Sequence, residues 1–544
     1  MQIPGKLYSL FFFLAGIIAV AGLFIPLMDN DAGHHANIAL HMYLTGDYVN
    51  LVDHNGDYLD KPHLHFWMAA GSYHLFDVNE FAYKFPSFLF CLLGLYATYR
   101  LGNLLYNKET GKLAALVLLT SFSFFLSMGD VRMDAILTSA IIFTTWQGIE
   151  WVNNKTISRI LMVALGAAIG FCTKGHIALF VPALSIFLYI LYKKNWQSFY
   201  HWHLLLFCIS FFLFISPVLY CYYLQFDLHP EKIIRGESNR SGITFILWNQ
   251  NIERLSGESF GSDAKDDRFF FFHTYLWAFA PWSLLAYMAI FDSLKKIRQK
   301  KIEWVTAGTI LIFALLITFA GFKLPHYLNV ILPVSGILVA GYLLNNLNRS
   351  IIKTLFIIQI IVCSLALVLI LTINTWAFPL TNPYAIAGFI VLLILSIYIF
   401  IKQKQYLQKL ISISVLTFLL IFYLLNFNFY PQLLKYQAGN ELAFATRDNI
   451  PASQVYYWPG VYSSSYDFYS KELRKEFNDT VFSKSTPVWI MISSDQIPDL
   501  EAKGFSVKEK IIHPDYEITR LKSSFINPNT RKNKLKDLSL VRIH

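Results

Sequence analysis

Met28-Asp29-Asn30-Asp31-Ala32-Gly33-His34-His35 follows directly on an apolar run over residues 7–27. A run of that length can cross a bilayer, so two carboxylates stand where the chain leaves the membrane. Ionisable groups at that depth are costly and mark binding or catalysis. About thirty residues later comes Asp60-Lys61-Pro62-His63-Leu64-His65-Phe66-Trp67. An acidic site followed by a fixed cation suits chemistry on a phosphate-linked substrate at a membrane face.

The surrounding chain supports the membrane reading. Its 544 residues are 55% hydrophobic and 15% charged, where a soluble protein carries roughly a quarter charged residues. Apolar stretches recur at 7–27, 82–104, 113–128, 135–152, 159–173, 176–192, 203–224, 269–292, 304–321, 327–346, 352–375, 383–401 and 409–428. They predict a polytopic α-helical membrane protein of thirteen spans. Lys6 precedes the first run, but no small-x-small cleavage pattern precedes Asp29, so the run reads as a retained helix and not a signal peptide. The net charge of +10 does not indicate nucleic acid, because the cations fall in short loops and not on one basic face. The five cysteines (Cys91, Cys172, Cys208, Cys221, Cys363) lack metal-ligand or disulfide-framework spacing and read as small apolar residues of the spans.

Loop charge sets the expected orientation. Lys108 and Lys112, Lys155 and Arg159, Lys193 and Lys194, the 295–301 cluster, Arg349 and Lys353, and Lys402 and Lys404 fall on one side, while the opposite loops hold isolated cations. The positive-inside rule then puts the amino terminus in the cytoplasm. Residues 28–81, residues 225–268 and the carboxyl-terminal region face outward.

Two domains are expected: a membrane domain over 1–431 and a small soluble α/β domain over 432–544. In the latter, 455–458 and 488–492 read as buried strands, and 465–473 and 495–503 as short helices. The 28–81 segment holds seven of the fifteen histidines. Ala36, Ala39, Leu40, Tyr43 and Leu44 recur there at helical spacing, predicting an amphipathic helix lying on the membrane surface. The charged, Gly/Ser-punctuated 225–268 segment suits a mobile loop over a site.

Asp29-Asn30-Asp31 has the D-x-D form that elsewhere holds a metal and a nucleotide-sugar. That use needs a preceding strand of a nucleotide-binding domain, and a membrane helix stands there instead. Two readings stay open: a cap for the following helix, or a catalytic base whose pKa rises through partial desolvation. Asp130-Val131-Arg132-Met133-Asp134 forms the next outward turn, where Arg132 can pair with Asp134 or with a phosphate. Lys61, Lys174 and Lys323 are cations on the side where cations are scarce, so each is a candidate for a lipid-linked phosphate or for snorkelling to headgroups. His34, His35, His63 and His65 are candidates for a divalent metal, though no closed four-ligand motif is visible.

These motifs together resemble the GT-C glycosyltransferases: the Asp after the first span, Tyr58 to Trp67, Arg132-Met133-Asp134-Ala135, Thr173-Lys174-Gly175, and Leu324-Pro325-His326-Tyr327 followed by Leu332-Pro333. The branch is that of the protein O-mannosyltransferases and the bacterial lipid A aminoarabinose transferase. The resemblance implies catalytic roles for Asp31 and Asp134. It implies donor-phosphate contacts from Lys61, Arg132, Lys174 and Lys323, and substrate contacts from Asp29, Asp60, His326 and Tyr327. Many relatives have Asp-Glu where this chain has Asp31-Ala32, which leaves the glutamate's role to Asp29 or a histidine.

The expected activity is transfer of a sugar from a polyprenyl-phosphate carrier to a hydroxyl or phosphate of lipid A, another envelope glycan or a protein, outside a bacterial inner membrane. A single displacement would invert the anomeric carbon. A transporter or lipid flippase is the main rival, but it calls for charged or broken helices at mid-membrane and for internal repeats. A non-catalytic receptor is a second rival, and leaves the charged outward helix ends unexplained.

Overall fold

The structure, a computed structural model, describes residues 4–29, 31–131, 133–250, 252–253, 267–297, 303–345, 347–478 and 488–543. Ten helices come first: α1 (Gly5–Gly22), α2 (Asp31–Thr45), α3 (Leu64–Phe76), α4 (Glu80–Leu105), α5 (Lys108–Leu119), α6 (Phe122–Gly129), α7 (Asp134–Asn154), α8 (Ile157–Lys174), α9 (Ile177–Lys193) and α10 (His203–Tyr222). Further apolar helices cover Phe270–Ala278, Ser283–Ile297, Val305–Thr318, Leu332–Leu344, Arg349–Thr372, Pro383–Lys402 and Tyr406–Leu424.

Every expected apolar stretch meets a helix or a helix pair, but they are not thirteen equal spans. Among the described residues eight helices are long and apolar enough to cross a membrane, or ten if each bent pair counts as one. The 113–128 stretch is broken into α5 and α6, bent by 61°, and the 269–292 stretch is bent by 120°. The second bend falls at Phe279-Ala280-Pro281-Trp282, where proline removes a backbone donor. Ile177–Lys193 and Val305–Thr318 are shorter apolar helices. Buried α7 packs on α4, α8 and α9 at the centre of the bundle. By contrast, the helices at Arg349–Thr372 and Pro383–Lys402 expose Leu365, Val368, Val391 and Ile394, as spans facing lipid do.

The segments expected to face outward gather at one end of the bundle. Tyr462 of the carboxyl-terminal region stacks on His54 of the 28–81 segment, and Lys471 pairs with Asp77. Among the basic loops, Lys155 donates to Ser198, and Lys112 lies over the Tyr8 ring at the start of α1.

The helix expected on the membrane surface is instead enclosed. In α2, Ala32, Ala36, Ile38, Ala39, Leu40 and Met42 are all buried, packed between α3 and the helix Ser464–Ser470. Its apolar stripe meets protein on both sides, and of the expected stripe Leu44 alone is exposed, at the helix end.

Two short strands, β1 (Val52–Asp53) and β2 (Gly56–Asp57), form a hairpin between α2 and α3. The carboxyl-terminal sheet contains β3 (Val455–Tyr457), β4 (Val488–Ser493), β5 (Val507–Asp515) and β6 (Lys536–Ile543), in the order β3-β4-β6-β5. Strands β3 and β4 run parallel, while β6 is antiparallel to both β4 and β5. Central β4 is buried on both faces, which is why it reads as an unbroken apolar run. Ile518 and Phe525, between β5 and β6, join the apolar core of the membrane bundle, so this unit is seated on the helices and not tethered beside them.

Candidate active site

The helix ends at the sheet-bearing side surround a polar cavity of about 860 Å³. Asp31 reaches it from the first turn of α2, where a carboxylate also suits the helix dipole. Asp60 and Lys61 enter from the chain leading into α3, and Lys174 from the last turn of α8. His34, His35, His326 and Tyr327 complete the expected residues that line it.

The Lys61 ammonium contacts the Asp60 carboxylate, and the Gln250 amide donates to the Asp60 carbonyl. Lys174 Nζ donates to Asp134 Oδ1 at 2.8 Å, with both side chains under 10% exposed. Local backbone makes that meeting possible. Gly175, φ +76°, ends α8 in a conformation a side chain resists. Met133, φ 69°, turns into α7 in a left-handed conformation that costs about 1–2 kcal/mol for a non-glycine residue.

A second cavity of about 430 Å³ is lined by apolar residues of α7, α9 and Val305–Thr318, including Leu137, Ile177, Phe180, Phe313 and Leu316. It shares Lys174, Phe322, His326 and Tyr327 with the polar cavity. Asp134 borders this apolar cavity and not the polar one. Its carboxylate grips the Lys174 ammonium.

Two further expectations meet a different geometry, and a third lies outside the described residues. Lys323 is buried and donates to the Asp267 carbonyl at 2.8 Å. Phe322 and Leu324, its two neighbours in the chain, line the polar cavity, whereas Lys323 does not. Asp29 does not line either cavity: its carboxylate accepts hydrogen bonds from Ser463 and Ser465. Arg132 lies outside the described residues.

The histidines are dispersed. His34 pairs with Asp53 at 3.1 Å. His63 Nε2 meets the Val49 carbonyl at 2.8 Å, and His65 Nε2 meets the Tyr83 hydroxyl at 3.1 Å. Burial pulls both His63 and His65 down to about 4. Burial, then the neighbouring cations, holds His35 well below the usual range. Among the described residues, no three His, Cys, Asp or Glu side chains converge as a metal site.

Several lining residues were missed in the sequence. Asp53 and Asp57 project from the β1–β2 hairpin, while Arg235, Gln250 and Glu253 come from the 225–268 segment. Burial pushes the Asp53 carboxyl up, but His34 and the Asn55 N–H outweigh it and hold it below the usual range. The 225–253 part is anchored to the hairpin. Gln225 Nε2 donates to the Leu51 carbonyl at 2.8 Å and to Asp57 Oδ1 at 2.9 Å, and Lys232 pairs with Asp57 at 3.1 Å. The one available signal was the density of acids in both segments.

Residues 60–221 match the family described as dolichyl-phosphate-mannose-protein mannosyltransferase. The whole chain superimposes on ArnT from Cupriavidus metallidurans bound to undecaprenyl phosphate, with TM-score 0.75 and 16% identity, over 99% of this chain and 98% of that one. The chain has the fold of ArnT. Sequence similarity to curated relatives is lower in coverage. An undecaprenyl phosphate-alpha-4-amino-4-deoxy-L-arabinose arabinosyl transferase of Pseudomonas aeruginosa is 25% identical over 336 residues, spanning 60% of this chain and 57% of that protein. An uncharacterized Aquifex aeolicus protein is 24% identical over 367 residues, spanning 65% and 67%. The match therefore covers less than two thirds of the arabinosyl transferase. Within this ArnT-type fold, the segment matched by the family model runs from Asp60 through α3–α9 into α10, and so contains both Lys61 and Lys174.

Proposed function

We propose that the protein is a membrane glycosyltransferase that moves a sugar from a polyprenyl-phosphate donor to an acceptor on the outer, periplasmic face of a bacterial inner membrane. One observation carries this reading: the acidic polar cavity and the apolar cavity share Lys174, Phe322, His326 and Tyr327. A ligand with a charged head and a long apolar tail fits that junction, with its phosphate beside Lys174 and Lys61.

In the reaction, an acceptor oxygen attacks the anomeric carbon while the carbon–oxygen bond to the lipid phosphate breaks. Asp31 takes the acceptor hydroxyl proton. The lipid phosphate leaves with the bonding electron pair and is stabilised by Lys61 and by Lys174, which Asp134 aims. Attack opposite the departing phosphate inverts the carbon. Asp60 orients Lys61, and Tyr327 closes the ring of contacts near Lys174, whose ammonium lies 5.9 Å from its ring centre. The names of the relatives make undecaprenyl phosphate-linked 4-amino-4-deoxy-L-arabinose the first donor to try, with lipid A, another envelope glycan or a protein as acceptor.

Purified protein would be incubated with that radiolabelled donor and lipid A, or with a membrane extract holding the other acceptors, alongside Asp31→Asn and Lys61→Ala. Label should move to acceptor with wild type, and the two variants should lose at least ~100-fold. An Asp31→Asn protein with full activity would remove the base assignment, and no transfer to any acceptor would remove the function.

A further inference from the structure

Asp29 stands two positions before Asp31 and faces away from the cavities. Its carboxylate accepts from Ser463 Oγ at 2.7 Å, from Ser465 Oγ at 3.0 Å and from the Ser465 N–H at 3.3 Å. The Asp29 N–H donates to Gln437 Oε1 at 2.6 Å, and Gln437 Nε2 donates to the Leu27 carbonyl at 3.0 Å. On the other side of Asp31, Asn37 Nδ2 donates to the Ser464 carbonyl at 2.9 Å. The turn bearing Asp31 is thus held before and after by the same few residues of the carboxyl-terminal domain.

That domain is shaped to present those donors. A Cβ on Gly439 would fall 2.0 Å from Ser463 Oγ and 2.5 Å from Ser465 Oγ. Glycine there leaves room for both hydroxyls to turn toward Asp29.

We propose that Asp29 is a positioning residue for sugar transfer, and that the carboxyl-terminal domain aims Asp31 through Ser463 and Ser465. The proposal rests on the reading of Asp31 as the acceptor base. Asp31 stands in the first turn of α2, so the placement of that turn sets where its carboxylate enters the cavity. Displacement of a reacting group by ~1 Å can cost ~100-fold in rate. A domain outside both cavities thereby becomes a working part of the catalytic centre.

The test is a double-mutant cycle on the full-length protein, with Asp29→Asn, the double variant Ser463→Ala/Ser465→Ala, and all three changes together. Transfer rate, affinity for undecaprenyl phosphate and thermal unfolding are read for each. The expected result is a kcat loss of roughly 10–100-fold, lipid-phosphate affinity within about two-fold of wild type, and no further loss on combination. Gly439→Ala, which leaves Asp29 in place, should reproduce the kcat loss. Losses that multiply on combination, or that fall equally on affinity and melting temperature, overturn the proposal as a merely structural effect. So does wild-type kcat in both the serine variant and Gly439→Ala. Asp31→Asn separates the two readings: if it is inactive while the clasp variants are fast, only the positioning role falls; if it is active, the base assignment falls first.

Discussion

The Lys174 ammonium lies 2.8 Å from Asp134 Oδ1, joining the last turn of α8 to the first turn of α7. Removing one member of a buried pair leaves an uncompensated charge and costs about 3–5 kcal/mol. Asp134→Leu alone should therefore lower the melting temperature and weaken undecaprenyl phosphate binding. Adding Lys174→Met should restore the melting temperature but not transfer. Thermal unfolding and lipid binding on the three proteins check this, and a double variant no more stable than Asp134→Leu would refute it.

The apolar cavity predicts a dependence on lipid length. Leu316 and Ile177 line it from different helices, and a tryptophan at either position would fill space meant for the prenyl chain. KM for a long polyprenyl donor should rise roughly ten-fold, while a donor with a short prenyl tail is used as by wild type. Equal effects on both donors would place the tail elsewhere.

The buried histidines predict acid lability. His63 and His65 have folded values near 4, below the unfolded 6.5. Their contribution is complete above pH 6.5 and is lost as pH falls toward 4, because the unfolded chain binds the protons more readily. Each ring can account for roughly 3 kcal/mol at most over that window. Melting temperature should drop from pH 6.5 to 4, and His65→Phe should flatten the drop; an unchanged slope in that variant counts against the assignment.

Gln225 predicts the coupling of the 225–253 strap to the hairpin. Its Oε1 accepts from the Leu51 N–H at 2.9 Å, and its amide donates to Leu51 and Asp57. Gln225→Leu keeps the volume but strands buried polar groups at a cost of about 1–3 kcal/mol. Limited proteolysis within 229–253 should accelerate and KM for the donor should rise. Protection equal to wild type would show that other contacts hold the strap.

Much of the site could be read from residue order because charge is rare in this chain. Asp31, Lys61 and Lys174 stood out as charged groups at helix ends, Asp60, His326 and Tyr327 through the resemblance, and all six line one cavity. What residue order hides is direction. Lys323 shares the scarcity of the others, yet its ammonium meets the Asp267 carbonyl while its neighbours Phe322 and Leu324 line the cavity. Asp134 and Lys174 are separated by 40 residues, and only the packing of α7 on α8 makes them partners. The apolar pattern of α2 was visible, but periodicity cannot tell lipid from protein as the buried neighbour. Strand β5 escaped because Lys508, Glu509 and Lys510 are exposed at the sheet edge and break the alternation.

The Asp29–Ser463 hydrogen bond spans 434 residues. At a synthesis rate of roughly 5–20 residues per second, the serine is made ~20–90 s after the aspartate. The turn bearing Asp31 is thus closed by a domain translated long after it. Through that interval the acidic turn lacks its serine partners, so the clasp cannot close before Ser463 and Ser465 are made.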